Sequence, residues 1–159
     1  MRTIYYSLVT VCAFSIWACS AGTKKDFATG LSYNYNGFAV EEVLLVGPDN
    51  VAQSNNEVIL NTKIAIVAQG ITNYELKDGK AFPGLMIKVT DKAGKAIIDE
   101  ADLFAGTEGY SATDASVLRG SITIGEPMKS GEEYHVTMRV WDKTKLDNEL
   151  TAEVDVVVK

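Results

Sequence analysis

The sequence predicts an all-β protein built as a single antiparallel β-sandwich of about seven strands. After residue 36, apolar and polar residues alternate through several short runs, a period that is typical of half-buried strands. Glycine, proline, asparagine and aspartate separate these runs, and short strands with turn residues at such spacing indicate a sandwich. About 140 residues follow Cys19, a length that suits one domain with its own core.

The first three strands are predicted from runs in the first half of the domain. Residues 37–47, GFAVEEVLLVG, form the first run. Residues 57–69, EVILNTKIAIVAQ, form the second, in which alternate positions starting at Val58 share one face. Residues 84–91, GLMIKVTD, form the third, with apolar residues again in phase. Each run is long enough for a strand that pairs antiparallel with its neighbour.

Four more strands are predicted in the second half. Residues 95–104 form a weaker run that could hold a helical turn. Residues 116–125 and 133–142 follow, and the second of these alternates most clearly, with the only histidine, His135, on the polar face. Residues 149–159, ELTAEVDVVVK, form the last run, in which the apolar residues again occupy alternate positions. Seven runs therefore account for the predicted sandwich.

The segment SGEEYHVTMRVWD resembles the sixth strand of immunoglobulin-like domains. In that class a Gly and a Tyr open the strand, and the Tyr hydroxyl bonds to backbone upstream; the resemblance gives this place to Tyr134. Two antibody hallmarks are missing, because Val136 stands where a cysteine would be and the third strand has no Trp. The resemblance is to the broad immunoglobulin-like class, and a transthyretin-like or C2-like sandwich is the alternative.

Alternating strand directions would gather the connections at two ends of the sandwich. The turn end is predicted to collect loops 47–56, 92–94 and 126–132. The loop end is predicted to collect loops 70–83, 105–115 and 142–148, together with the start of the first strand. The chain is therefore expected to enter the domain at the loop end.

The first 18 residues have the pattern of a secretory signal peptide. Arg2 precedes an uncharged run that reaches Ala18, and a charged start, a short apolar core and a small residue at the cut describe such a peptide. The run is shorter than the ~20 residues that a spanning helix needs. Ordinary cleavage after Ala18 or Ala21, giving a secreted protein, is one interpretation.

The segment Ile16-Trp17-Ala18-Cys19 resembles a bacterial lipobox, which is the other interpretation. In that family an aliphatic residue stands three before the cysteine and a small residue directly before it. Trp17 departs from the pattern, since that position is usually small or β-branched. The resemblance implies a lipoprotein attached to a membrane through acylated Cys19. Acylation would also remove a lone thiol from an oxidising compartment.

The residues after Cys19 bear on the destination. Some lipoproteins of the Bacteroidota carry an acidic run there that directs them to the cell surface, but this chain has Lys24-Lys25-Asp26. Ser20 after the cysteine resembles lipoproteins sent to the outer membrane. We therefore expect an outer-membrane lipoprotein facing the periplasm, with surface exposure as the alternative. Residues 19–36 are rich in small and polar residues at their start, and we predict a flexible tether there.

Charge excludes one class of partner. Loss of Arg2 with the signal leaves 14 Lys and Arg against 21 Asp and Glu, a net charge of −7. An acidic chain repels phosphate backbones, and no basic patch with interleaved aromatics occurs in the sequence, so nucleic acid is not an expected partner.

Four aromatic residues predicted at the loop end form the best candidate binding site: Tyr74, Phe82, Tyr110 and Trp141. Flat aromatic faces bind sugar rings or apolar peptides, and loops at one end of a sandwich commonly carry binding. The alternative is a small apolar cluster that holds the long loops down, as is usual under such loops.

Acidic residues concentrate in segments 91–102 and 141–149. Calcium needs six or more oxygens that converge on one point, and the EF-hand spacing is absent from the sequence. We interpret these carboxylates, Asp142 among them, as solvated turn charges. No metal site and no cofactor are predicted.

Catalysis has little basis in the sequence. With His135 as the only histidine and Cys19 acylated, neither a Cys–His pair nor a multi-histidine zinc site can be assembled. We therefore predict a non-enzymatic accessory or docking module for another envelope protein. A glycan- or small-ligand-binding module is the alternative, and a hydrolase using two carboxylates is a third hypothesis.

Overall fold

The structure is a computed structural model that describes residues 20–159. The predicted signal peptide, residues 1–18, and the predicted acylation site, Cys19, lie outside the described residues. Within the described range the chain forms one short 3-10 helix, Asp114–Ser116, and ten strands. The strands are β1 Ala21–Lys25, β2 Ser32–Asn36, β3 Glu42–Val46, β4 Glu57–Val58, β5 Lys63–Gln69, β6 Pro83–Asp91, β7 Ala96–Glu100, β8 Leu118–Thr123, β9 Glu133–Asp142 and β10 Glu149–Val158.

Two sheets pack face to face, so the predicted all-β sandwich is confirmed. The larger sheet has the order β1-β2-β10-β9-β6-β7, with β4 paired to the end of β10, and the smaller has the order β3-β5-β8. The pairings are antiparallel except for the two-residue β4–β10 pair. Each of the seven predicted runs contains a strand. The run 57–69 holds two, because a turn at residues 60–62 separates β4 from β5.

The strand order has the immunoglobulin-like arrangement. In that arrangement the first, second and fifth strands lie opposite the third, sixth and seventh. Among the seven predicted strands, β3, β5 and β8 form one sheet, and β6, β9 and β10 lie in the other. The fourth predicted strand, which is β7, pairs with β6 at the edge of the larger sheet.

Alternate side chains of both sheets fill the core. The inward faces supply branched and apolar residues such as Ile64 and Ile66 from β5, Ile87 from β6 and Met138 from β9, each at most 2% exposed. A fully buried aliphatic side chain contributes about 1.5–3 kcal/mol. The alternation that predicted the strands therefore also identifies the residues that stabilise the sandwich.

The prediction of a flexible tether over residues 19–36 is wrong for the part that the structure describes. Residues 21–36 form an antiparallel hairpin, β1 and β2, and β2 pairs along the outer edge of β10. Leu31 and Tyr33 are 1% and 6% exposed and belong to the main core. The main-chain ladder and these two buried side chains order a segment whose composition is otherwise that of a linker.

Asp26 closes the turn of this hairpin. One carboxylate oxygen accepts a hydrogen bond from the N–H of Ala28 at 2.9 Å, and the other accepts from the hydroxyl of Thr29 at 2.6 Å. These bonds, led by that from Thr29, lower the pKa of Asp26 below its usual value. The turn is thus specified by its own side chains, as Asx turns are.

The predicted bond of Tyr134 is present. Its hydroxyl accepts a hydrogen bond from the backbone N–H of Lys129, five residues upstream, at 2.9 Å. Tyr134 is 5% exposed, so the bond satisfies a polar atom at the margin of the core. It fixes the loop before β9 to the strand itself.

The two predicted ends are confirmed by the strand register. At the loop end, the backbone N–H of Lys143 donates to the carbonyl of Phe82. At the turn end, the N–H of Gly131 donates to the carbonyl of Val158. The carbonyl of Ser20 accepts from the N–H of Gly37 at the loop end, so the chain enters the domain there, as expected.

Candidate ligand-binding site

Buried polar side chains connect the loops at the loop end, and Asp142 is the first of them. It is 0% exposed. Its carboxylate accepts hydrogen bonds from the N–H of Glu75 at 2.7 Å and of Thr144 at 2.9 Å. The interpretation of Asp142 as a solvated turn charge is therefore wrong, because the even positions of β9 point into the core and Asp142 continues that series.

Asn148 makes the second connection. It is also 0% exposed, and its Nδ2 donates to the carbonyl of Asn73 at 2.7 Å. Gly37 lies against it with φ of 73°. A Cβ at that position would come within 2.1 Å of Asn148 Oδ1. Only glycine fits there, so the start of the first predicted strand is held against the loop 142–148.

The ion pair of Lys143 with Asp102 makes the third connection. Lys143 Nζ lies 2.7 Å from Asp102 Oδ2 and also donates to the carbonyl of Phe104 at 2.8 Å. Asp102 Oδ1 accepts from the N–H groups of Leu85 and Phe104. Burial alone would raise the pKa of Asp102, but the hydrogen bonds, first that from Lys143, lower it below its usual value.

Tyr74, a predicted binding residue, packs inward among these connections. Its ring lies 4.9 Å from that of Phe38, centroid to centroid, and its hydroxyl donates to the carbonyl of Ala115 at 3.1 Å. Burial, and secondarily the charge of Asp142, raises the pKa of Tyr74. This geometry favours the alternative considered from the sequence, in which the aromatic residue holds its loop down, but Tyr74 packs against the main core and not in a separate small cluster.

Phe82 and Tyr110 lie elsewhere on the loop end. Tyr110 meets the ring of Phe104 edge to face, with centroids 5.4 Å apart. Phe82 lines a cleft of about 220 Å³ together with Lys77, Lys143 and Thr144. Each of the predicted aromatic residues thus has a different neighbour, and the four do not form one platform.

Trp141 lies on the outer face of the larger sheet. It is paired across the sheet with Gly84 of β6, and a Cβ on Gly84 would come within 2.1 Å of the indole atom Cε2. The indole therefore lies over the backbone of Gly84, because that residue has no side chain. Trp141 is half-buried, which leaves part of the ring accessible to solvent.

Two charged residues accompany the indole. The guanidinium carbon of Arg139 lies 5.3 Å from the ring centroid of Trp141, a cation–π distance. Arg139 Nε donates to Glu149 Oε2 at 3.0 Å, and Nη2 donates to the same oxygen. We call Trp141, Arg139 and Glu149 the sheet-face cluster. An aromatic plane beside fixed donors and acceptors can hold a sugar ring by its C–H face and its hydroxyls.

The register shows why these three residues meet. Glu149 is the cross-strand partner of Trp141, and Arg139 lies two residues before Trp141 on the same face. Asn36 of β2 extends the row beyond Glu149. Arg139 and Glu149 were not predicted as site residues. The alternation of β9 could have predicted that Arg139 and Trp141 share a face, since both occupy odd positions. Their contact with Glu149 could not have been predicted in this way, because it depends on the β9–β10 register.

His135 lies on the same outer face, further along β9. Its Nδ1 lies 2.8 Å from Asp155 Oδ1, and its side chain is 42% exposed, so the predicted solvent-facing position is confirmed. Within residues 20–159, no group of three or more His, Cys, Asp or Glu side chains is placed to hold a metal ion.

No family model matches the chain, and no curated protein matches it at a significant level. In the described part of the chain, no helix has the length and apolar character needed to cross a membrane. No relative therefore supplies a function, and the grounds for one are the motif at Cys19 and the geometry of the described domain.

Proposed function

We propose that the protein is a non-enzymatic envelope lipoprotein, held on a membrane by acylated Cys19, that serves as an accessory or docking module for another envelope protein. The lipobox-like segment Ile16-Trp17-Ala18-Cys19 carries the proposal. Its position supports it, because Ser20 is already hydrogen-bonded to Gly37 of the domain. The proposed acylation site thus directly precedes a folded domain. The outer membrane, with the domain facing the periplasm, is the proposed location.

Fatty-acid labelling of the full-length protein in a bacterial host tests the anchor. The wild type should incorporate labelled fatty acid, and Cys19→Ala should not, because the thioether needs the cysteine sulfur. Cys12→Ala is the matched control and should label like the wild type. Labelling of Cys19→Ala at the wild-type level would show that the lipobox interpretation is wrong.

Copurification tests the docking role. The tagged protein is isolated from its own host in mild detergent, and accompanying proteins are identified by mass spectrometry. A stoichiometric envelope protein that is retained after dilution and reisolation is the expected result. Recovery of the acylated protein alone would count against docking while leaving the anchor intact.

The sheet-face cluster favours a second candidate function, the binding of a glycan or another small ligand. The indole of Trp141 packs over Gly84, and Arg139 is hydrogen-bonded to Glu149 next to it. Such preorganised groups lose little freedom on binding. Binding here would involve hydroxyl groups placed against Arg139 and Glu149 and a ring stacked on Trp141.

Tryptophan fluorescence can test this second candidate directly. The chain has two tryptophans, Trp17 and Trp141, and removal of the signal peptide would leave Trp141 as the only reporter. A glycan that binds should quench or shift its emission, and Arg139→Ala should weaken the effect. His135→Ala, on the same face but further along β9, is the matched control. No response across a broad glycan panel would exclude this function.

A further inference from the structure

The loop end presents a group of exposed aliphatic side chains. Leu76, Leu103, Val117 and Leu146 are 48%, 47%, 52% and 71% exposed. They come from the three loops of that end and the residues that flank them. Of the described residues, the other large apolar side chains with comparable exposure are Phe27, Val51 and Ile59. Four of the seven exposed large apolar side chains of the described residues therefore belong to the loop end, and exposed apolar side chains gathered at one end of a domain can mark a contact surface.

The chain also enters the domain at this end. The carbonyl of Ser20 is bonded to the N–H of Gly37 at 2.7 Å, and Asn36 Nδ2 donates to the carbonyl of Asp147 at 2.9 Å. Cys19 directly precedes Ser20 in the sequence. Acyl chains on Cys19 would therefore be attached next to a residue that lies at the loop end.

The loops that carry these side chains are held in fixed relation to one another. Asp142 bonds the loop 142–148 to Glu75, next to Leu76. Lys143 bonds the same loop to Asp102, next to Leu103. The loops that carry Leu76, Leu103 and Leu146 are therefore joined to one another by hydrogen bonds and an ion pair.

Charge indicates which kind of surface this end would meet. Residues 70–83, 101–117 and 142–148 contain four lysines and seven acidic residues, so electrostatic attraction to an anionic surface is not the driving force. Lys77 directly follows the exposed Leu76, and Lys145 directly precedes the exposed Leu146. Lysines in such places can extend their ammonium groups to lipid phosphates while the leucines remain in apolar surroundings.

We propose that the loop end lies against the lipid bilayer, with Leu76, Leu103, Val117 and Leu146 in the headgroup region of a zwitterionic leaflet. The inference rests on the proposed acylation of Cys19, because the acyl chains bring this end to the bilayer. The domain then has a defined orientation. Its turn end points away from the membrane, and the sheet-face cluster stands at the side.

Site-specific quenching in vesicles tests the orientation. The acylated full-length protein is reconstituted in phosphatidylcholine vesicles as the variants Leu146→Cys and Ile59→Cys, each labelled with a thiol-reactive fluorophore. These positions are matched, since the native side chains are 71% and 63% exposed. A lipid-borne nitroxide should quench the label at position 146 several-fold more than that at position 59, and aqueous iodide should show the reverse. Leu76→Cys and Val51→Cys form a second pair.

The outcomes separate the orientation from the anchor. The wild-type protein should take up no thiol label, because acylated Cys19 has no free thiol; labelling of the wild type would overturn the anchor and the orientation with it. If the wild type is unlabelled and positions 146 and 59 are equally accessible to iodide, only the orientation is overturned. Stronger nitroxide quenching at position 59 would overturn it as well. Nitroxide quenching that is stronger at position 146 than at position 59, and that persists in high salt, would support an apolar contact with the bilayer.

Discussion

The carbonyl oxygen of Ser20 accepts a hydrogen bond from the N–H of Gly37, with 2.7 Å between the two atoms. This bond lies at the open end of the β1–β2 hairpin, which is paired to β10 along five residues. Ser20, the residue after Cys19 in the sequence, is therefore part of the folded domain. A lipid at Cys19 would hold a domain without a spacer, which restricts how it can meet a partner.

Replacement of Tyr33 by alanine tests whether the hairpin is an integral part of the domain. Tyr33 of β2 is 6% exposed and lies in the main core. Its truncation should lower the free energy of unfolding by about 3 kcal/mol, because it removes a buried aromatic ring. Phe27→Ala, in the turn of the same hairpin, is the control. Phe27 is 91% exposed, so its loss should cost little. Equal urea midpoints for Tyr33→Ala and the wild type would contradict this and would indicate that residues 21–36 are a flexible tether.

The strands could be predicted because each has one buried face, and a period of two reveals it. The hairpin could not, because its order depends on pairing with β10, more than a hundred residues away in sequence. Only Leu31 and Tyr33 contribute strongly buried apolar side chains to it. The sequence therefore contains too few apolar positions there to display a period.

The candidate site was only partly predictable for a related reason. Trp141 was identified by its residue type and was grouped with the aromatic residues of the loop end, but it lies apart from them on the outer sheet face, near the end of β9. The partners of Asp142 are backbone groups of other loops, Glu75 among them. The paths of such loops are set by tertiary contacts, which alternation within a strand does not encode.

Replacement of Tyr134 by phenylalanine tests the bond to Lys129. The change removes the hydroxyl and leaves the ring, so the cost should be about 1 kcal/mol, the net contribution of one hydrogen bond. Denaturant unfolding measures it as a lower midpoint with an unchanged slope. Tyr110→Phe is the control, since no hydrogen bond of its hydroxyl occurs among residues 20–159. The immunoglobulin-like role of Tyr134 would be contradicted by equal midpoints for the two variants.

Replacement of Gly84 by alanine should displace the indole of Trp141. The new Cβ would come within 2.1 Å of Cε2, and the half-buried ring can move outward to relieve the overlap. We expect red-shifted tryptophan emission, as the ring enters water, and a loss of stability of about 1 kcal/mol. Gly125→Ala is the matched control, because a Cβ there would meet only Asn61 Oδ1 at 3.9 Å. An unchanged emission spectrum for Gly84→Ala would show that the indole does not lie over Gly84.

Asp102 should make stability depend on pH in the acidic range. Its pKa in the folded protein is lowered relative to about 3.9 in an unfolded chain. The ionised carboxylate is therefore favoured by folding, and its contribution is complete above the unfolded pKa. That contribution is lost as the pH falls through the lower, folded-state pKa.

The variant Asp102→Asn should accordingly be less stable than the wild type at pH 7, by about 2 kcal/mol, because hydrogen bonds to a charged group are lost. The difference should begin to shrink as the pH falls below about 4, because the carboxylate of the unfolded chain is protonated first, and the charge contribution should be lost once the pH has passed the lower, folded-state pKa. Urea unfolding at a series of pH values measures both quantities. Asp99→Asn is the control: Asp99 is 57% exposed and lies 4.0 Å from Lys88, a distance and exposure at which an ion pair contributes little. If Asp102→Asn is destabilised by the same amount at every pH down to 2, the charge of Asp102 does not stabilise the fold. The loss of stability would then come only from altered packing and hydrogen-bond geometry.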